Sequence, residues 1–135
     1  MSTRVLVATD HDCPSAALAH AAALAGSEGE VVLASVLVVP HAQPLEATLD
    51  RAVTDACATL DQGERATAGV RSFDTRLLRA RSFSEGVLEA LAAEPYDVLV
   101  LETARSGPGN GARAQIETVL ERADPTVVLV RPACG

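Results

Sequence analysis

The chain has 135 residues, three cysteines and a net charge of −7. A length of this order suits one domain around one core, here expected to span residues 1–135. The acidic balance excludes nucleic acid and an anionic membrane as main partners, since both need a basic face. Apolar residues make up 48% of the chain, yet the aromatics are only Phe73, Phe83 and Tyr96, so the core is expected to consist of Val, Leu and Ala. All eleven basic residues are arginine, which removes lysine-dependent chemistry such as Schiff bases and a phosphate-gripping P-loop lysine. No apolar run is long enough to span a bilayer. Met1–Arg4 leads into a strand-like run without a basic n-region and apolar stretch, so a cytoplasmic protein is expected.

Val5–Thr9 (VLVAT) is a short apolar run of the kind that makes a strand buried on both faces. Asp12 is placed to cap the helix that follows, with Pro14 acceptable in its first turn. SAALAHAAALA is rich in strong helix formers, and Gly26 supplies a stop. Val31–Val39 is the second buried strand, closed by Pro40. From Pro44 a helix is expected, with Leu45, Leu49, Val53, Ala56 and Leu60 recurring at three- and four-residue steps, and Gly63 and Gly69 marking its end. Phe73–Leu78 is more polar and alternating, as suits an edge strand. Ser82 and Glu85 have capping-box spacing ahead of VLEALAA. Asp97–Glu102 is the next buried strand, AQIETVLERA the fourth helix and Thr126–Val130 the last strand.

This alternation implies an α/β fold with a single open parallel sheet and helices on both faces. Ligands of such sheets sit beyond the carboxyl ends of the strands, where the strand order reverses. Two segments follow strands there: Asp10–Cys13, and Thr103–Arg113 with its glycine-rich stretch ARSGPGNGAR. Gly107, Gly109 and Gly111 can free backbone N–H groups for an anion, and Arg105 and Arg113 carry planar guanidinium groups suited to phosphate oxygens. A plain solvent-exposed connection is the competing reading of that loop.

Other chemistry finds little footing. Asp10, His11, Asp12 and Cys13 are ligand types, but neighbours leaving a strand point in different directions and no second cluster exists, so no metal site is expected. Cys13, Cys57 and Cys134 form no CxxC pair and no disulfide framework. Cys13 at a helix start could be redox-reactive, although a small inert side chain is the simpler reading; Cys57 reads as core and Cys134 as tail. His20 and His41 have no catalytic partner nearby. No Ser-His-Asp or Cys-His arrangement and no working pair of carboxylates can be argued, so no catalytic residue is assigned.

VLVATDHDCPSAALAHAAALA resembles the opening of the universal stress protein family, and DVLVLE, a glycine-containing loop and IETVLERADPTVVLVRP resemble its last third. The resemblance implies five parallel strands in the order 3-2-1-4-5 and a homodimer joined through the fifth strands, here Thr126–Val130. In nucleotide-binding members an aspartate ending the first strand contacts the nucleoside, a valine near the end of strand two offers backbone to adenine, and a G-x2-G-x9-G-S/T loop wraps the phosphates. Asp10 matches the aspartate and Val36 the valine. The loop does not match: Glu102 stands where the first glycine belongs, and Arg113-Ala114 where the final Gly-Ser belongs. A carboxylate there repels phosphate unless Arg105 neutralises it.

The candidate ligand-binding residues are therefore Asp10, Val36, Thr103, Arg105, Gly107, Gly109, Gly111 and Arg113. ATP or another adenine nucleotide is the cofactor that the resemblance implies and the altered loop disfavours, so the cofactor stays unassigned. A homodimer and a small anionic ligand are the expected partners. Three readings remain open. The leading one is a non-catalytic, homodimeric regulatory domain that does not use the family's ATP mode. The others are a nucleotide binder with a rearranged loop and an α-hydrolase-like enzyme.

Overall fold

Val5–Ala8, Val31–Leu37 and Leu99–Leu101 are buried along their whole length, as strands covered by helices on both faces must be. A computed structural model describes residues 3–9, 14–39, 42, 44, 50–66, 72–102 and 110–131. Through them run β1 (Arg4–Thr9), α1 (Ser15–Ala25), β2 (Glu30–Val38), α2 (Asp50–Ala66), β3 (Ser72–Ala80), α3 (Phe83–Ala93), β4 (Val98–Glu102), α4 (Asn110–Arg122) and β5 (Thr126–Val130). The strands form one parallel sheet in the order β3-β2-β1-β4-β5, the order that the resemblance implies.

Strand alternation divides the core into two layers. Val5, Val7, Val31, Leu33, Val100 and Val130 pack with Ala17, Leu18 and Ala21 of α1. Leu6, Val32, Val36, Leu99 and Leu101 pack on the other face with Val87 of α3 and Val119 of α4. Fully burying one Leu or Val contributes roughly 1.5–3 kcal/mol. Leu6, Leu18, Leu33, Leu99 and Leu101, all fully buried, therefore anchor both layers, with Phe73 packed against the first and Phe83 and Tyr96 against the second. No described helix is long and apolar enough to cross a membrane.

Several boundaries follow the sequence reading. β5 spans the expected five residues. Gly26 ends α1 at φ +68° with its N–H donated to the Ala22 carbonyl, a conformation that only glycine adopts without strain. β3 lies at the sheet edge and is partly exposed along most of its length.

Others are corrected. Gly63 does not end α2, which continues to Ala66. It is buried and faces Leu33 so closely that a Cβ there would collide with the leucine Cδ2, so the helix accepts glycine's weak propensity for close packing on β2. Gly69 lies outside the described residues. Cys57, read as core, is exposed: the buried stripe of α2 runs through Ala56, Thr59 and Gly63, and Cys57 lies one step off it. Asp12, also outside the described residues, was expected to cap α1. The residue before α1 is Pro14, which offers no side-chain cap. α4 begins at Asn110 rather than Ala114, so part of the glycine-rich stretch is helix.

Candidate ligand crevice at the carboxyl ends of the strands

The strand order reverses between β1 and β4, the place at which sheets of this class form a ligand crevice beyond the carboxyl ends of their strands. α1 leaves from one side of it and β4 ends on the other. Glu102, the last residue of β4, shares its face with Val98 and Val100, the face that α1 covers. Its Oε2 accepts the backbone N–H of Ala17 at 3.1 Å. The first turn of α1 has no acidic residue and Pro14 gives it no side-chain cap, and a carboxylate 85 positions later in the chain takes one of the helix's orphan donors.

β2 supplies the wall next to this point. Its ladder with β1 ends at Thr9↔Ser35, while its ladder with β3 continues to Val38↔Ala80. The Thr9↔Ser35 pairing takes the Val36 N–H to the Thr9 carbonyl, so the Val36 carbonyl, Leu37 and Val38 overhang the end of β1, with no paired strand on that side among the described residues. Glu30 donates its N–H to Thr3 on the β1 side, and Val39 donates to Ala80 on the β3 side. Backbone groups alternate along a strand, so those of Val36 and Val38 point to the β1 side, towards the crevice. The Val36 side chain turns the other way, into the α3 layer. A Cβ at Gly86 would lie 2.6 Å from Val36 Cγ1.

The start of α3 is also closed from within the chain. Ser82 Oγ accepts the Glu85 N–H at 3.3 Å, and Gln115 Oε1 of α4 accepts the Ser84 N–H at 2.8 Å. The first contact is the capping box legible in the sequence; the second joins two helices and has no local signal. α4 has no acidic residue in its first turn.

The amino ends of the strands carry charge differently. Arg4 pairs with Glu30 at 3.3 Å and with Glu94 at 2.5 Å, and Arg76 pairs with Glu94 at 3.2 Å and with Asp74 at 2.5 Å. The Arg4 guanidinium also lies 4.7 Å from the Tyr96 ring centre, as a cation–π contact requires. The hydrogen bond from Arg4 is the main cause that holds the Glu94 carboxyl below its ordinary value; burial opposes it, and bonds from Arg76 and the Tyr96 hydroxyl add to it. Burial, seconded by the Glu94 carboxylate, pushes the Tyr96 hydroxyl up to about 12.

No family model matches the sequence, and no curated protein matches it. Solved structures do. A universal stress protein in complex with cAMP is 18% identical, with 96% of this chain and 97% of that one covered at a TM-score of 0.74. The universal stress protein from Archaeoglobus fulgidus in complex with dAMP is 18% identical over 95% and 97% of the two chains, at 0.69. A universal stress protein family member from Burkholderia pseudomallei is 20% identical over 98% and 97%, at 0.72. The chain has the universal stress protein fold.

Within that fold the residues singled out from sequence are distributed unevenly. Val36 lies on the overhang of β2, 2% exposed, with its side chain in the core and only its backbone available to the crevice. Gly111 and Arg113 belong to the first turn of α4; the direction of the Arg113 side chain is outside the description. Asp10, which follows Thr9 directly, and Thr103, Arg105, Gly107 and Gly109 lie outside the described residues. Glu102 was legible as a charge opposed to phosphate. Its hold on α1 was not, because that contact requires β4 and α1 to be placed side by side first.

Proposed function

We propose that this chain is a universal stress protein that works as a non-catalytic, homodimeric regulatory domain. Its crevice takes an adenine-bearing ligand without the family's phosphate loop. The overhang of β2 carries this reading: Val36 and Val38 turn backbone groups towards the crevice beyond the end of β1, and a donor and an acceptor on one strand suit the edge of an adenine ring. The structural neighbours that hold cAMP and dAMP lend weight to it. Asp10, one residue beyond β1, is the group assigned to the ribose. The absence of lysine and of any catalytic arrangement in the sequence favours signalling by occupancy over turnover. Titration of adenosine into isotope-labelled protein is expected to shift the Val36–Val38 amides saturably, and Asp10→Ala to abolish the response. Amides that stay in place up to millimolar adenosine would defeat the reading.

The homodimer is proposed through β5. This strand lies at the sheet edge with Leu129 exposed and no further strand beside it among the described residues, and an apolar edge needs covering. An antiparallel copy related by a two-fold axis supplies matching donors and acceptors. Wild type is expected to run as a dimer in light scattering and Val128→Pro as a monomer or an aggregate.

A second reading, nucleotide binding by a rearranged loop, is favoured by the start of α4 at Asn110. It puts Gly111 and Arg113 in a first turn free of acidic residues, where helix amides favour an anion. Wild type would then bind AMP or ATP more tightly than adenosine.

A further inference from the structure

The contact between Glu102 and Ala17 joins the two elements that flank the crevice. A ligand phosphate near the start of α1 would seek the same backbone N–H that Glu102 Oε2 accepts at 3.1 Å. The carboxylate is held where it is for reasons internal to the chain. Pro14 gives α1 no side-chain cap, and its first turn has no acidic residue. β4 ends in phase to place position 102 on the α1 face, beside Val130 of β5. Displacing the carboxylate would therefore strip α1 of a cap as well as bring two anions together in a partly buried place, where like charges repel more than in water.

We propose that Glu102 determines the charge class of the ligand: it occupies the anion position at the start of α1, so that the crevice accepts the uncharged nucleoside and rejects its phosphates. The nucleoside part of the proposal rests on the adenine reading given above; the exclusion of anions does not. Glu102 acts here as a specificity residue, with no part in any bond-making step. Two features make the assignment specific. The overhang of β2 offers an adenine its backbone without calling on any charge. Of the two helices on the far face, α3 has its start already closed by Ser82 and Gln115, and the start of α4 belongs to the second reading above, which AMP binding as tight as adenosine would favour.

Two measurements on wild type, Glu102→Gln and Glu102→Ala test the proposal. In the first, inorganic phosphate is titrated at constant ionic strength while the melting temperature and the Ala17 amide resonance are followed. Wild type should stay flat. Glu102→Ala should gain several degrees with a moving Ala17 amide, and Glu102→Gln, which keeps the acceptor and loses the charge, should fall between. In the second, calorimetry compares adenosine with AMP, which differs only by the phosphate. Wild type should prefer adenosine by tenfold or more, and Glu102→Gln should narrow that preference about tenfold with adenosine affinity within twofold of wild type. Variants no more responsive to phosphate than wild type would overturn the role of Glu102. So would a wild type that binds AMP as tightly as adenosine. If no form binds adenosine but Glu102→Ala gains the phosphate response, the exclusion of anions by Glu102 is supported and the adenine reading of the crevice is what falls.

Discussion

At the amino ends of the strands Arg4, Glu30, Asp74, Arg76 and Glu94 are paired with one another, side chain to side chain. At the carboxyl ends Glu102, Ser82 and Gln115 each accept a backbone N–H from the start of a helix. Both ends are polar, and both include contacts between groups distant in sequence, but they differ in what is lost when one group is removed. A part-exposed ion pair whose charged groups still reach solvent exchanges readily for water and salt. A helix N–H that loses its acceptor in a partly buried place keeps its desolvation cost. The end with fewer charges is thus expected to be the more sensitive to single substitutions, and it is also the end where ligands of this fold class bind.

That contrast can be broken by measurement. Glu102→Ala is expected to cost about 1–2 kcal/mol in denaturant unfolding, the range for loss of a helix cap, with most of the loss surviving high salt. Gln115→Ala should cost about 1 kcal/mol, since Ser82 still holds the same turn. Glu30→Gln, at the opposite end and about one-third exposed, should cost at most about 0.5 kcal/mol and nothing at high salt. If Glu30→Gln proves the costliest of the three, the contrast is wrong.

Acid sharpens it further. The folded Glu94 carboxyl lies below the 4.5 of the free group, so its contribution to stability is complete above that value and disappears as the pH falls through the depressed one. Unfolding followed below pH 4.5 should show a steeper loss for wild type than for Glu94→Gln; parallel curves would show that the amino-end pairs do not couple to folding. Tyr96 tests the alkaline side with the smallest effect. It is the chain's single tyrosine, so phenolate absorbance reports it alone. A folded value of about 12 against 10.0 unfolded means that its contribution is intact below pH 10 and is lost as the pH rises towards 12. A native-state midpoint at 10 would remove the shielding ascribed to burial and Glu94.

The sequence made the fold legible to the extent that local patterns determine it. Val31–Leu37 showed as a strand because burial on both faces demands unbroken apolar residues; Thr126–Val130 showed by its apolar run too, although at the sheet edge it is only partly buried. The Ser82 and Glu85 spacing marked a helix start because a cap is a local device. What stayed hidden depends on elements meeting in space. Gly63 looked like a helix end because its neighbour Leu33 is thirty positions away. Cys57 looked buried because apolar character was read without the phase of the stripe. The overhang of Val36–Val38 exists only relative to the register of β1. Glu102 could be read as a misplaced charge, but its tie to α1 is a product of the sheet order and is invisible along the chain.

The close fit of Gly86 to Val36 has a bearing on how proteins of this shape can diverge. Val36 turns its backbone to the crevice and its side chain to α3, so the helix acts as a backstop whose depth sets where that backbone lies. Adding one methyl group at position 86 would press on the valine from behind and shift the wall, with no change to any residue that lines the crevice. Ligand preference can therefore drift through a site hidden from the ligand. Mutational libraries restricted to lining residues would leave out this lever, and the exchange of glycine for alanine would sample it in a single step.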